Sequence, residues 1–392
     1  MLGFAQLASM LLGIGTNSLW ARGVSKEIFG QYQLILSFAT MIGTLCLNGL
    51  SQSLTISSAK NCDGDLPKII SLKLGISLIG GIALASVGLY YRSKNPLLAE
   101  SIFLLSFFFP FLELAKVWLY WMQGKYKFSW VVTFQILYPA VFLLTLATCI
   151  YMRWTSLKQL VCLLQGSAAL VTLASLFFLF SKMKHNNAHH PDTLRYGLHI
   201  TAASLLAWLV ITDKFIINEH LSAAAVAIYS VALIFPEQVK MVYVVFGQSF
   251  DPFLASANSV HEAWAFLKPK LILVWALFIL LGILGFIILP YFIPLIFSEK
   301  YAVAAPYGKW LWLVMSVTAP ATYLGNLLRA QRKVKFVYGF EISNALMSAL
   351  LYIVLVHYGL WGMVAAQALR NTFAAVFFVI IFVFYFKREQ HG

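Results

Sequence analysis

The chain has 392 residues, of which 61% are apolar and only 11% charged, and it carries a formal net charge of +14. Soluble domains carry about 25% charged residues, so too little polar surface is available to coat a water-soluble globule. The cations are spread thinly between apolar blocks and form no continuous basic face, which argues against a nucleic-acid footprint.

The apolar residues arrive in blocks of about 20, the length that crosses a hydrocarbon core about 30 Å thick. Twelve spans are predicted, at about 2–20, 31–56, 69–91, 99–121, 129–151, 157–181, 196–218, 224–248, 268–297, 305–328, 336–356 and 359–386. The first block has no basic residues before it and runs through Ala21-Arg22-Gly23 into the second, so it reads as a retained span and not a cleaved signal. The sequence starts abruptly within that span, which leaves room for a short polar N-terminus ahead of it. Pro290 and Pro294 leave two readings of the ninth span, a kinked helix or one that ends early. Cys46, Cys149 and Cys162 lie in apolar blocks and Cys62 in a short polar loop. None forms a Cys-x-x-Cys pair, so neither a disulfide framework nor a metal site is suggested.

Lys and Arg in the short loops set the orientation. Even-numbered connections and the C-terminus hold sixteen, including Lys60, Lys68, Lys73, Lys125, Lys184 and the cluster Arg329, Arg332, Lys333 and Lys335; odd-numbered connections hold nine. Both termini are therefore expected in the cytoplasm. The longest polar stretch, from Lys182 to Thr193, falls between spans six and seven. It reads as a cytoplasmic linker (182–195) between an N-terminal lobe (1–181) and a C-terminal lobe (196–392), six spans each. His185, His189 and His190 in it read as polar linker residues, with a metal tract as the alternative. A weak repeat joins the halves: Ser25, Gly30 and Tyr32 recur as Ser222, Ala227 and Tyr229, offset by 197 residues. Six spans per half make the repeats parallel, related by a pseudo-two-fold axis along the membrane normal.

An ionised side chain placed mid-membrane costs about 2.5–3.5 kcal/mol or more, so such residues face a watery cavity or an opposite charge. In span four Glu113 and Lys116 are three apart and share a helix face, and Glu237 and Lys240 repeat the arrangement in span eight. A buried ion pair that fixes packing and a functional site are both open readings of these pairs. Asp213 and Lys214 are adjacent near the end of span seven and point in different directions. Arg370 lies near the middle of span twelve with no acidic residue within a turn, which favours a cavity role over snorkelling. Lys116, Lys240 and Arg370 together would make a cavity attractive to an anion. Pro110, Pro139, Pro236 and Pro320 lie within spans and invite kinks, either static or used in a transport cycle. Most of the plentiful Trp and Tyr residues read as interface anchors.

Four stretches resemble the polysaccharide repeat-unit flippases, the Wzx-like O-antigen transporters of the multidrug/oligosaccharidyl-lipid/polysaccharide (MOP) exporter superfamily. They are Leu19-Trp20-Ala21-Arg22 with Phe29-Gly30-Gln31-Tyr32; Thr212-Asp213-Lys214-Phe215-Ile216-Ile217 with Ile228-Tyr229-Ser230; Phe297-Ser298-Glu299-Lys300-Tyr301-Ala302-Val303-Ala304-Ala305; and Tyr358-Gly359-Leu360-Trp361-Gly362-Met363-Val364-Ala365-Ala366. Ser298 stands where many relatives have Gly. The resemblance implies an all-α polytopic carrier with two lobes around a central cationic cavity, in the bacterial inner membrane. It would flip an undecaprenyl-pyrophosphate-linked oligosaccharide from the cytoplasmic to the periplasmic leaflet by alternating access, for O-antigen, lipopolysaccharide or capsule assembly. A repeat-unit polymerase and a chain-length regulator are the partners it implies, and no cofactor or metal. On this reading Lys116, Lys240 and Arg370 contact the head group, Arg22 and Lys214 sit near the periplasmic mouth, and Asp213, Glu237 and Glu113 couple an ion or proton.

A multidrug or small-cation antiporter of the same superfamily is the alternative, although it would favour acidic cavity residues. A membrane-embedded polysaccharide-assembly enzyme is disfavoured. There are only fourteen acidic residues, no Asp-x-Asp pair within reach of a large polar loop and no Gly-x-x-x-x-Gly-Lys phosphate loop.

Overall fold

In hydrocarbon no water satisfies backbone N–H and C=O groups, so each apolar block closes its hydrogen bonds within a helix. The computed structural model describes residues 2–182, 186, 188–203, 205–257, 259–330 and 334–390. Lys184, His185, Arg332 and Lys333 lie outside the described residues. Among those described there are sixteen α-helices and no strand. In the first half they are α1 (Leu2–Gly23), α2 (Lys26–Thr44), α3 (Asn48–Ala59), α4 (Asp65–Tyr91), α5 (Pro96–Glu113), α6 (Ala115–Gly124), α7 (Phe128–Tyr151) and α8 (Leu157–Lys182). There follow α9 (Thr193–Ala203), α10 (Asp213–His220), α11 (Ala223–Ser256), α12 (Val260–Phe297), α13 (Ala305–Thr318), α14 (Thr322–Ala330), α15 (Val334–Leu355) and α16 (Gly359–Gln390).

The protein is an all-α, multi-pass membrane protein. Among the described residues nine segments are long and apolar enough to cross a bilayer, or ten when α2 and α3, bent by 59°, count as one span. One of the nine, Tyr338–Lys387, holds both α15 and α16, and α1 adds a further helix of 22 residues, roughly 33 Å at 1.5 Å per residue. Each predicted span thus has a helical counterpart. Four of them are interrupted. Span two breaks between α2 and α3, and span four breaks at Leu114 between α5 and α6. Span seven passes through a 3-10 turn at Leu205–Ile211, and span ten breaks at Ala319–Ala321, where Pro320 cannot supply a backbone donor. The ninth span does the opposite. Its helix α12 runs unbroken for 38 residues through Pro269, Pro290 and Pro294.

Two compact units divide the chain, Met1–Phe215 and Ile216–Gly392. This boundary lies beyond the polar stretch expected to separate the lobes at 182–195, and the reason is local packing. Helix α9 lies against α3 so closely that a Cβ on Gly49 would sit 2.7 Å from the Thr201 nitrogen. Gly49 N donates to Thr201 Oγ1 at 3.2 Å.

The described part of the polar stretch is bound to the loop between α3 and α4. Asp63 in that loop and Asp65 at the start of α4 are buried, and they are an Asp-x-Asp pair that folding, contrary to the sequence expectation, does bring to the longest polar stretch. Asp63 pairs with Lys125 at 2.9 Å and accepts from Trp121 Nε1 at 3.2 Å. Asp65 accepts from Thr193 Oγ1 at 2.9 Å and His190 N at 3.1 Å, and its other oxygen lies 2.9 Å from His189 Nδ1. Asn186 completes the seam, donating to Asn61 O at 2.9 Å and accepting from Asp63 N at 3.1 Å. His190 Nε2 lies 2.8 Å from Lys60 Nζ, so His189 and His190 face carboxylate and lysine partners, and no metal-holding group of three such residues occurs among the described residues, which do not include His185.

The weak sequence repeat has a physical counterpart. Ser25 caps α2 by accepting from Ile28 N at 3.2 Å, and Ser222 caps α11 by accepting from Ala225 N at 3.1 Å. Seven residues on from each cap a tyrosine, Tyr32 or Tyr229, is 1% exposed. Tyr32 stacks on Trp20 with centroids 4.2 Å apart, and its hydroxyl accepts from Gln165 Nε2 at 2.9 Å.

Candidate functional site

The break in span two builds the polar centre of the first unit. Gly43, Asn48 and Gly49 are poor interior helix residues, and at Leu47 the chain turns left-handed, with φ 53° and ψ 44°. That conformation costs a non-glycine residue about 1–2 kcal/mol, so its surroundings must hold it. Asn48 does much of this: its Nδ2 donates to Gly43 O at 2.9 Å across the break.

The Asn48 carbonyl oxygen then gathers two cations from other spans. Lys73 on α4 donates to it at 3.1 Å and Lys116 on α6 at 3.4 Å. Lys73 is fully buried, and its ammonium lies 3.6 Å from Glu113 Oε2 on α5. The other Glu113 oxygen rests against Gly43, where a Cβ would come within 2.7 Å of it. A cavity of about 190 Å³ opens on the group, lined in part by Thr40, Gly43, Asn48, Glu113, Lys116 and Gln165. Two cations and one carboxylate leave the cluster with one net positive charge. The N-terminus of α3 adds a partial positive charge of about half a unit. An oxyanion is the ligand this arrangement suits.

Of the residues singled out from sequence, the first unit brings Glu113 and Lys116 to one cavity, though not as the expected pair. The helix break at Leu114 separates them, and Glu113 turns to Lys73 instead. By sequence Lys73 counts with the loop cations, at the fringe of a third span predicted to start at 69. It lies eight residues into α4 and belongs to the lobe interior, so it leaves the count of loop cations without reversing its sense. Asn48, Gly43 and Lys73 are functional candidates that composition and spacing missed. The Asn48-Gly49 dipeptide, a turn signal inside an apolar block, is the one hint available.

Asp213 opens α10, where it is buried and accepts from Lys214 N at 2.9 Å; Lys214 Nζ reaches Gln33 Oε1 at 2.8 Å. The two side chains diverge as expected. Arg22 lies exposed in the last turn of α1.

In the second unit, Glu237 and Lys240 do form the expected pair on α11, 3.9 Å apart and about half exposed. Lys240 lines a cavity of about 80 Å³ with Tyr243, Thr318, Thr322 and Asn371. Arg370 is buried on α16 and donates to the Tyr352 hydroxyl at 3.2 Å and to Asn371 Oδ1 at 3.4 Å. Both partners are neutral. The second unit therefore keeps a buried guanidinium whose charge its hydrogen bonds do not cancel.

A family model described as polysaccharide biosynthesis protein matches residues 1–258. No curated protein matches. Among solved structures, the fold is similar to an inward-facing multidrug resistance MATE family transporter of the MOP superfamily, with TM-score 0.76 and 15% identity over 98% of this chain and 95% of that one. It is also similar to the lipid II flippase MurJ in an inward closed conformation, with TM-score 0.68 and 16% identity over 96% of this chain and 86% of MurJ. A MOP superfamily transporter from Pyrococcus furiosus, described as having a binding pocket of reversed polarity, matches with TM-score 0.64 and 14% identity over 97% and 95%. The fold is that of the MOP superfamily, and the match across well over half of the sequence places this chain in the polysaccharide biosynthesis protein family.

Proposed function

We propose that the protein carries an undecaprenyl-diphosphate-linked oligosaccharide repeat unit from the cytoplasmic to the periplasmic leaflet of a bacterial inner membrane, during assembly of a surface polysaccharide such as O-antigen. The observation that carries this reading is the Lys73–Asn48–Lys116 cluster at a broken span. It offers net positive charge beside a cavity, within a chain of the polysaccharide biosynthesis family. A diphosphate is too strongly hydrated to cross hydrocarbon unaided, whereas the lipid attached to it remains in the bilayer. Cationic groups within a span exchange water for fixed partners at the head group. Lys116 is the primary contact in the first unit, with Arg22 and Lys214 towards the periplasmic side, and Lys240 and Arg370 are the second unit's own candidates. Glu113 is the coupling carboxylate that its place in the cavity wall beside Lys116 favours, because Asp213 is engaged at a helix start and Glu237 is half exposed. The loop cations favour cytoplasmic termini, and the flipped unit would pass to a polymerase and a chain-length regulator.

Deleting the gene in its host and analysing lipid-linked intermediates tests the reading. Surface polymer should be lost while complete repeat units accumulate on the cytoplasmic leaflet, and a Lys116→Ala gene should fail to restore it. Normal polymer together with lost resistance to cationic dyes would replace this reading with drug export.

A further inference from the structure

Lys116 also borders a second cavity, of different chemistry. This one, of about 260 Å³, lies among α6, α7 and α8 and is walled by Trp118, Leu119, Phe134, Tyr138, Pro139 and Val171. Its wall is mostly apolar, and two of its polar side chains are already engaged. Thr172 Oγ1 donates to Ala168 O at 3.0 Å and Ser175 Oγ to Val171 O at 2.6 Å, while the Gln135 acceptor oxygen is buried in the wall without a hydrogen-bond partner. A sugar ring would find few partners there for its many hydroxyls, and leaving most of them unpaired is costly. An apolar group would fit. Lys116 is the one residue that lines both this apolar cavity and the polar cavity at Asn48.

We propose that the apolar cavity takes the first carbons of the lipid tail, those joined directly to the diphosphate, with Lys116 at the junction of tail and head group. The proposal rests on the reading of Lys116 as a diphosphate contact and extends it to recognition of the lipid. The chemistry of the substrate requires such a neighbour. In a polyprenyl diphosphate one ester bond separates phosphorus from the hydrocarbon, so a phosphate held at Lys116 puts the first carbons within a few ångströms of it. Capacity also agrees. A cavity of ~150 Å³ accepts the six carbons of benzene, so about 260 Å³ accommodates roughly ten carbons, or two isoprene units. Since the tail leaves one apolar medium for another, the gain comes from packing and shape and not from leaving water. The cavity would therefore discriminate branched isoprenoid chains by fit.

The test is a ligand series bound to the full chain in nanodiscs, read by calorimetry: inorganic diphosphate, then dimethylallyl, geranyl and farnesyl diphosphates. Affinity should rise up to geranyl, with ten carbons, and then level off. Val171→Phe, which fills the cavity, should flatten the series to the level of inorganic diphosphate, a loss of about tenfold for geranyl diphosphate. Phe134→Ala, which enlarges it, should carry the rise on to farnesyl. Partition into the lipid raises apparent affinity equally for all three proteins, so the differences between them report the cavity. Identical chain-length profiles in the three proteins would overturn the proposal. If Lys116→Gln left inorganic diphosphate binding intact, the head-group reading itself would fail, a result separable from the first.

Discussion

Spans four and eight carry the same four-residue signature, a glutamate and then a lysine three positions on, yet the two pairs end differently. In span eight the helix is continuous, so Glu237 and Lys240 meet on the half-exposed face of α11. In span four the helix breaks at Leu114, one residue past the glutamate. Glu113 is freed for the buried ammonium of Lys73, and Lys116 for Asn48. Spacing proposes a pair, but backbone continuity and burial decide whether it forms. The consequence is energetic, since a half-exposed pair is worth about 0–1 kcal/mol, while breaking a buried one exposes the remaining charge to full desolvation.

That contrast can be broken most forcefully at Lys73. Lys73→Met leaves Glu113 without its counter-charge in a buried site, and should lower stability by about 3–5 kcal/mol, measured by thermal unfolding in detergent. The double variant Lys73→Met/Glu113→Gln should recover most of the loss. A single variant as stable as the parent would show that the pair is not a buried unit. Asn48→Ala removes the shared acceptor of two lysines and the donor that bridges the break, and should cost about 1–3 kcal/mol. Its unfolding should be compared with that of Asn48→Asp, which keeps the acceptor and loses the bridge.

Arg370→Gln should change stability by less than about 1 kcal/mol, because the lost hydrogen bonds are offset by removing a buried charge with neutral partners. Transport in vesicles should nevertheless fall, and stability and transport falling together would mark Arg370 as a packing residue. Smallest of all, Glu237→Gln should stay within about 0.5 kcal/mol of the parent, in the same unfolding assay. An effect as large as that of Lys73→Met would erase the distinction between the two spans.

Much of the fold was legible because a bilayer demands one thing of every crossing segment, an apolar run of sufficient length. The interruptions were harder to read. Pro320 marks one of them, but Pro290 and Pro294 mark none, because α12 continues through both. Leu114 carries no breaking signal at all. The site was half legible. Glu113 and Lys116 stood out as charges within an apolar block, and they do line one cavity. Lys73 did not, since four residues into a span predicted to start at 69 it looks like a loop fringe, until the helix is seen to begin at Asp65. Its partners Asn48 and Glu113 are 25 and 40 positions away in the chain, and only folding brings them together.

The seam at Asp63 and Asp65 has a practical consequence for dissecting this molecule. The longest polar stretch looks like the natural place to cut the gene in two, but that cut would free α9 from the segment that fastens it. It would also leave the tight Gly49–Gly197 contact to form between separate polypeptides. A cut at Leu221 and Ser222, after α10, would leave the first fragment with its own carboxylate clasp and with the packing partner of its broken span. Co-expressed halves divided there should assemble more readily than halves divided at the histidines.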